Sequence, residues 1–338
     1  MLEHGGGIRR AAAQFGLPLD QWLDLSTGIN PLGWLPLAIP RSCWARLPEE
    51  EDGLEEIARA YYRVAVLLPL AGSQSAIQAL PHLRPPGRVA VLGPTYAEHA
   101  AAWAAAGHTV AEVTLADLEV GMERFDVVVV VNPNNPTGLL LPIPRLLSWQ
   151  ERLQRAGGWL VVDEAFMDVT PVHSLAGQVG LPGLILLRSL GKFFGLAGAR
   201  VGFLLAEAAL LERVRALLGP WHLAGPSRWL AGQALADVAW QEESRCRLPA
   251  AARRLAGLLG AHGWSPAGGT ALFQWVVTAQ AEQGWLTLAR RGILVRHFPE
   301  WRALRIGLPG EEPEWSRLAE GLDALTRMDH DAAGPGLP

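Results

Sequence analysis

Lysine is almost absent from this chain. Of 29 Lys plus Arg residues in 338, one is a lysine, Lys192. Arginine therefore does every other cationic job, and the position that keeps lysine calls for an amine. A guanidinium stays protonated at any working pH, whereas a buried ammonium can lose its proton and attack a carbonyl carbon to form a Schiff base. Other scarcities exclude whole classes of protein. The two cysteines, Cys43 and Cys246, fit neither a metal nor a redox spacing and read as reduced thiols of a cytoplasmic protein. The nine histidines form no H-E-x-x-H or other metal pattern, so no metal is expected. There is no basic block, and a formal charge of -4 leaves no electrostatic footprint for nucleic acid. No apolar run approaches membrane-spanning length. The opening Met-Leu-Glu-His-Gly-Gly-Gly lacks the basic and apolar regions of a signal peptide.

What is present is a half-apolar chain, long enough for one large domain or two unequal ones. Its fourteen tryptophans read as core or interface anchors. Lys192 follows a short apolar run, Leu184 to Ser189, that reads as a buried strand feeding a loop. Ser189 and Arg200 flank the lysine closely enough for a hydroxyl and a guanidinium to reach one phosphate near the amine. Gly195, Gly198 and Gly202 leave the backbone free to turn beside a ligand. Two rival motifs fail here. Ser189-Leu190-Gly191-Lys192 fits the S-x-x-K of penicillin-binding enzymes, but a chain with one lysine has none left for their Lys-Thr-Gly element. A P-loop would need Ser or Thr at Phe193 and Gly at Leu186.

In chain order, residues 1 to about 45 are rich in Gly and Pro, with a turn over Ser26 to Pro31, and read as an arm wrapping the body. Regular alternation then begins. A helix over Glu55 to Arg63 and a strand over Ala65 to Leu70 lead into Gly72, Ser73 and Gln74, followed by a helix over Ser75 to Leu83. A strand, a glycine turn and a helix start together make an anion cradle of free backbone N–H groups. Arg88 to Leu92 reads as a strand delivering Tyr96 to a loop, where its ring either stacks on a flat ligand or packs under the next helix. Thr109 to Val113 and Asp126 to Val131 continue the series, the second running into Asn132-Pro133-Asn134-Asn135-Pro136-Thr137-Gly138. That loop leaves amide side chains at the carboxyl end of a strand, where open α/β sheets bind ligands. Trp159 to Val162 ends in Asp163, costly to bury without a cation such as a protonated heterocyclic nitrogen. Val201 to Ala206 reads as the last strand of the sheet. Strand-like stretches recur at Ala271 to Thr278, Ile293 to Arg296 and Ala303 to Leu308.

This constellation resembles the fold-type-I pyridoxal phosphate enzymes, specifically the class I/II aminotransferase superfamily, in order over nearly the whole chain. The resemblance implies an α/β fold: a large domain over 46–220 with a mostly parallel seven-stranded sheet between helices and a smaller α+β domain over 221–328. An N-terminal arm over 1–45 would pack on the small domain and a dimer partner, and 329–338 would be a loose tail. The implied cofactor is pyridoxal 5'-phosphate. Lys192 resembles the Schiff-base lysine, Asp163 the aspartate that keeps the pyridine nitrogen protonated, Asn135 the asparagine that bonds the phenolic oxygen, and Tyr96 the stacking ring. Gly72, Ser73, Gln74, Ser189 and Arg200 match the phosphate cup, and Arg305 matches the arginine that binds a substrate carboxylate. His4, Asn30 and Arg296 join Arg305 as candidates for gripping substrate. Two positions depart from the pattern: Phe166 stands where many relatives carry a tyrosine, and Leu47 where a neighbouring subunit often offers one. Within the superfamily, His4-Gly5-Gly6, Tyr96 to His99, Asp163 to Phe166 and Leu294 to His297 resemble decarboxylases of a small phosphorylated amino acid, an aminotransferase on a phosphorylated substrate being the alternative. A homodimer is implied, with no membrane or nucleic-acid partner.

Overall fold

A run of five valines has no polar face to offer solvent, so it demands a sheet covered on both sides. The chain folds that way in the structure, a computed structural model that describes residues 4–35 and 38–332. Among the described residues twelve strands run in chain order: β1 (Leu23–Leu25), β2 (Leu68–Leu70), β3 (Arg88–Leu92), β4 (Thr109–Val113), β5 (Val127–Val131), β6 (Trp159–Asp163), β7 (Leu184–Ser189), β8 (Gly202–Leu205), β9 (Gly268–Thr270), β10 (Phe273–Val277), β11 (Ile293–Phe298) and β12 (Ala303–Gly307). By their contacts they fall into two units, one of residues 33–245 and one of residues up to 32 together with 246 onward.

The larger unit holds a seven-stranded sheet in the order β2-β8-β7-β6-β5-β3-β4. Strands β3 to β7 pair in parallel, while β8 is antiparallel to β7 and β2 to β8. The mostly parallel sheet implied by the sequence is therefore present, and all five valines of β5 are buried. Pro69 is tolerated because β2 is an edge strand, where a missing N–H costs no ladder bond on the open side. The chain runs outward from β3 to β4, then returns to lay β5 on the other side of β3. The carboxyl ends of β3 and β5 thus flank a topological switch point, the place where open α/β sheets leave a crevice for ligands.

The smaller unit has a five-stranded sheet in the order β1-β11-β12-β10-β9, antiparallel except for β1 beside β11. Here the structure corrects the expected division. Residues 23–25 are a strand of this sheet, and the helix Ile8–Phe15 packs Ala11, Ile8, Ala12 and Phe15 against Trp22, Ala289 and Leu294. The segment expected as an arm to about residue 45 is part of the smaller unit's core as far as residue 32. Three-residue strands such as Leu23–Leu25 and Gly268–Thr270 are too short for alternation to reveal. The second boundary falls after Arg245, inside the helix Val238–Ala261, and not at 220. Residues 221–245 stay with the larger unit because the helix Gly225–Ala236 packs on the helix Leu54–Tyr62 and Trp240 stacks on Phe194 at 5.5 Å. The helix Glu312–Ala332 runs through the first four residues of the expected loose tail; 333–338 lie outside the described residues.

Candidate active site

In the larger unit, strand register assembles a cradle. Ser189 on β7 and Leu70 on β2 both pair with Gly202 on β8. The turn after β2 and the segment before β8 therefore meet beside Ser189. A Cβ at Gly202 would collide with the Ser73 nitrogen, so only glycine permits this approach. Gly72 has φ +79, and a Cβ there would stand 2.7 Å from Arg200 Nη2, so the guanidinium lies directly on its backbone. Arg200 is itself left-handed, φ 53 and ψ 58. A non-glycine residue in that region costs roughly 1–3 kcal/mol and persists where the surroundings impose it. Its Nη1 donates to the Ala197 carbonyl at 3.3 Å, and Ser189 Oγ accepts from the Gly191 N–H at 3.2 Å. At the start of the helix Ser73–Ala79 the Ser75 N–H is taken by the Gly72 carbonyl at 3.1 Å, and the Ser73 and Gln74 N–H groups before it complete an anion-binding concavity.

Lys192 follows on the loop after β7, half-buried, with Nζ 5.6 Å from the centroid of the Phe166 ring. Phe193 and Phe194, both fully buried, anchor this loop against each other and against Trp240. At the tip of β6, Asp163 is buried, and its two oxygens are separately held: Oδ1 accepts the Ala165 N–H at 3.0 Å and Oδ2 meets His99 Nε2 at 3.0 Å. His99 is the partner sequence reasoning missed. It is 1% exposed and sits edge-on to Tyr96, with centroids 6.1 Å apart. Burial above all, then the nearby Glu98 and Asp163, pushes the Tyr96 phenol up to about 12, so it stays neutral and acts as a ring and a hydrogen-bond donor.

The asparagine-rich loop divides its labour. Asn132 is spent on both backbone groups of Leu141. Asn134 ties the loop to the end of β3, donating to the Pro94 carbonyl at 2.8 Å and accepting from Thr95 Oγ1 at 2.7 Å. Asn135, the next residue along, is half-buried.

Beneath β6 lies a second group that the sequence did not disclose. Arg188 bonds Glu164 at 2.6 Å and Asp168 at 2.5 Å, and all three are essentially unexposed. Tyr61 bonds Asp168 at 3.1 Å, and Arg245 bonds both the Tyr61 hydroxyl and the Asp168 carbonyl at 3.0 Å.

In the smaller unit, Arg296 on β11 stands directly opposite Arg305 on β12. Like charges facing each other across two strands repel unless an anion joins them. Burial, then Arg296, lowers the Arg305 guanidinium to about 10, with Asp24 opposing, so it remains charged near neutrality. Arg305 Nη2 donates to the Ser26 carbonyl at 2.5 Å, and Ser26 Oγ accepts from the Gly6 N–H at 2.8 Å. Gly5 lies against that same carbonyl, where a Cβ would collide. The glycine run thus binds the chain start to Arg305 through Ser26. His4 and Arg296 share a cavity of about 370 Å³ in this unit. Arg305 and Asn30 are not among its walls: Asn30 is buried with Oδ1 accepting the Leu32 N–H at 3.1 Å. Among the described residues no cluster of His, Cys, Asp and Glu could hold a metal, and no helix is long and apolar enough to cross a membrane.

This fold with this donor set is that of a known family. The chain belongs to the aminotransferase class I and II family, whose model matches residues 51–322. It is 54% identical over 331 residues to the threonine-phosphate decarboxylase of Pseudomonas aeruginosa, covering 98% of this chain and 100% of that one. It is 43% identical over 340 residues to a threonine-phosphate decarboxylase from a Sinorhizobium species, covering 96% and 98%. Its fold matches histidinol-phosphate aminotransferase from Sinorhizobium meliloti, solved in complex with pyridoxal-5'-phosphate, with a TM-score of 0.81 over 95% of each chain at 21% identity.

Proposed function

We propose that this chain decarboxylates L-threonine O-3-phosphate to (R)-1-amino-2-propanol O-2-phosphate and CO2, using pyridoxal 5'-phosphate, as a homodimeric cytoplasmic enzyme of cobalamin biosynthesis. The observation that carries the reading is the identity of 54% over 98% of the chain to a threonine-phosphate decarboxylase. The site chemistry supports it. A cradle built from Gly72, Ser73, Gln74, Ser189 and Arg200 suits a phosphate, and its glycine leaves no room for a side chain. A buried carboxylate with both oxygens oriented suits a protonated ring nitrogen, and Tyr96 offers a flat face. The residues fit the cofactor.

When bound, the cofactor supplies an electron sink for whichever bond at the substrate's α-carbon lies perpendicular to its ring. Lys192 Nζ would hold the cofactor and would return the proton to the substrate's α-carbon. Asp163 would face the ring nitrogen, with His99 and the Ala165 N–H fixing its two oxygens. Asn135 would donate to the phenolic oxygen, while Phe166, with no hydroxyl, would contribute shape only. Arg296, Arg305 and His4 would grip the substrate's phosphate and carboxylate, which would set the bond that breaks; Asn30, expected beside them, is buried with its Oδ1 on the Leu32 N–H and would shape the turn that carries it. Leu35, Trp44, Leu47 and Trp221 of the larger unit are each more than half exposed, and this apolar surface supports the homodimer.

The test is to supply threonine phosphate without any keto acid. Catalytic turnover with stoichiometric CO2 is expected. Turnover only with histidinol phosphate and 2-oxoglutarate would replace this reading with the aminotransferase. A second expectation concerns His99. His99→Phe removes the 3.0 Å partner of a buried carboxylate, and losing a hydrogen bond to a charged group costs roughly 1.5–3 kcal/mol. We expect kcat/KM to fall about 10–100-fold. An unchanged rate would leave His99 a packing residue.

A further inference from the structure

We propose that Arg10 is a phosphate-gripping residue of the substrate site, forming a dianion subsite with Arg296 and His4; this deepens the reading above and rests on it. Charge sets the requirement. A phosphomonoester carries about two negative charges near neutrality and the substrate carboxylate one more. The cross-strand pair Arg296 and Arg305 offers two guanidiniums, and Arg305 is already engaged with the Ser26 carbonyl. A third cation is needed, and one is in place.

The smaller unit's cavity of about 370 Å³ is lined by Arg10 and Arg296, His4 and His297, Ser26 and Trp285, among others. Among the described residues its walls hold two guanidiniums, two imidazoles and no carboxylate. Arg10 reaches it for a local reason. On the helix Ile8–Phe15 the apolar positions Ile8, Ala11, Ala12 and Phe15 face the core, and side chains on a helix lean back toward its start. Residue 7 is glycine, so the Arg10 guanidinium can lie over it, with Nε and Nη2 each 3.9 Å from where a Cβ would stand. Trp285, also in the lining, stacks on His297 at 5.6 Å and meets Phe15 of the same helix edge-on at 5.8 Å, so aromatic packing ties the helix to the strand that carries Arg296. The result is a site for a tetrahedral dianion, with planar forks on two elements of one unit.

The experiment is calorimetric titration of the cofactor-loaded full chain with O-phosphoethanolamine, which keeps the amine and phosphate and has no carboxylate to lose, against ethanolamine. The wild type is expected to prefer the phosphorylated ligand. Arg10→Gln should weaken O-phosphoethanolamine about tenfold, the loss of one charge-assisted contact, and leave ethanolamine unchanged; Arg10→Lys should fall between, keeping the charge without the fork. In steady state KM for threonine phosphate should rise by more than kcat falls. Equal binding by wild type and Arg10→Gln, or equal weakening of both ligands, overturns the role of Arg10. A wild type with no preference for the phosphorylated ligand sinks the parent reading and this one with it.

Discussion

Lys192→Ala is expected to abolish CO2 release from threonine phosphate, by about 10⁴-fold or more, because it removes both the covalent anchor of the cofactor and the group that returns the proton. Lys192→Arg should be no better, since a guanidinium keeps its proton and cannot add to a carbonyl. The composition of the chain makes the result unusually clean. With no other lysine in the sequence, the only competing primary amine is the chain terminus. Borohydride reduction of the loaded enzyme, followed by peptide mapping, should place the cofactor on the peptide containing Lys192 and nowhere else. Label on another peptide, or retained turnover in Lys192→Ala, would remove the basis of the proposed chemistry. Phe193 and Phe194 beside it are fully buried and pack on each other and on Trp240, so both variants are expected to keep the wild-type fold.

Local pattern made much of this architecture legible. Strands β3, β4 and β7 begin and end where alternation and apolar runs place them, and the valine run of β5 announces a sheet covered on both faces. What stayed hidden depends on register between distant segments. The facing of Arg296 and Arg305 follows from how β11 and β12 pair, which neither strand encodes alone. The same holds for Gly72: its turn is readable, but its contact with Arg200 exists because β2 and β7 both align on Gly202. The three amides of the asparagine loop look equivalent in sequence. Only the fold shows Asn132 and Asn134 spent on loop closure. His99 sits three residues after Tyr96 on an alanine-rich helix, and its role depends on a carboxylate 64 residues away.

In the sequence Arg188 is one residue of an apolar strand, yet its removal carries the largest expected effect on stability. Arg188→Met would leave Glu164 and Asp168 buried without their shared cation. Breaking such a set by deleting one partner costs roughly 3–5 kcal/mol, although Ser174, the Leu175 N–H and Tyr61 would still hold the carboxylates. The pH dependence has a definite sign. Burial, the largest influence, raises the Glu164 carboxyl above its ordinary value, and Arg188 opposes that rise. Removing Arg188 raises it further. A carboxyl whose folded value lies above its unfolded one stabilises the fold at low pH and loses that contribution as pH rises through the folded value. The deficit of Arg188→Met should therefore be smaller in acid, at about pH 5, than in mild base, at about pH 8. Urea unfolding at the two pH values measures it. Arg188→Met combined with Glu164→Gln should recover part of the loss and flatten the difference, since the uncompensated charge is gone. Equal deficits at both values would mean that lost packing on Tyr62, over whose ring the guanidinium lies at 4.7 Å, outweighs the stranded charge. Because Glu164 directly follows Asp163 at the end of β6, the same variant should also loosen the carboxylate assigned to the ring nitrogen, and residual activity should fall with stability.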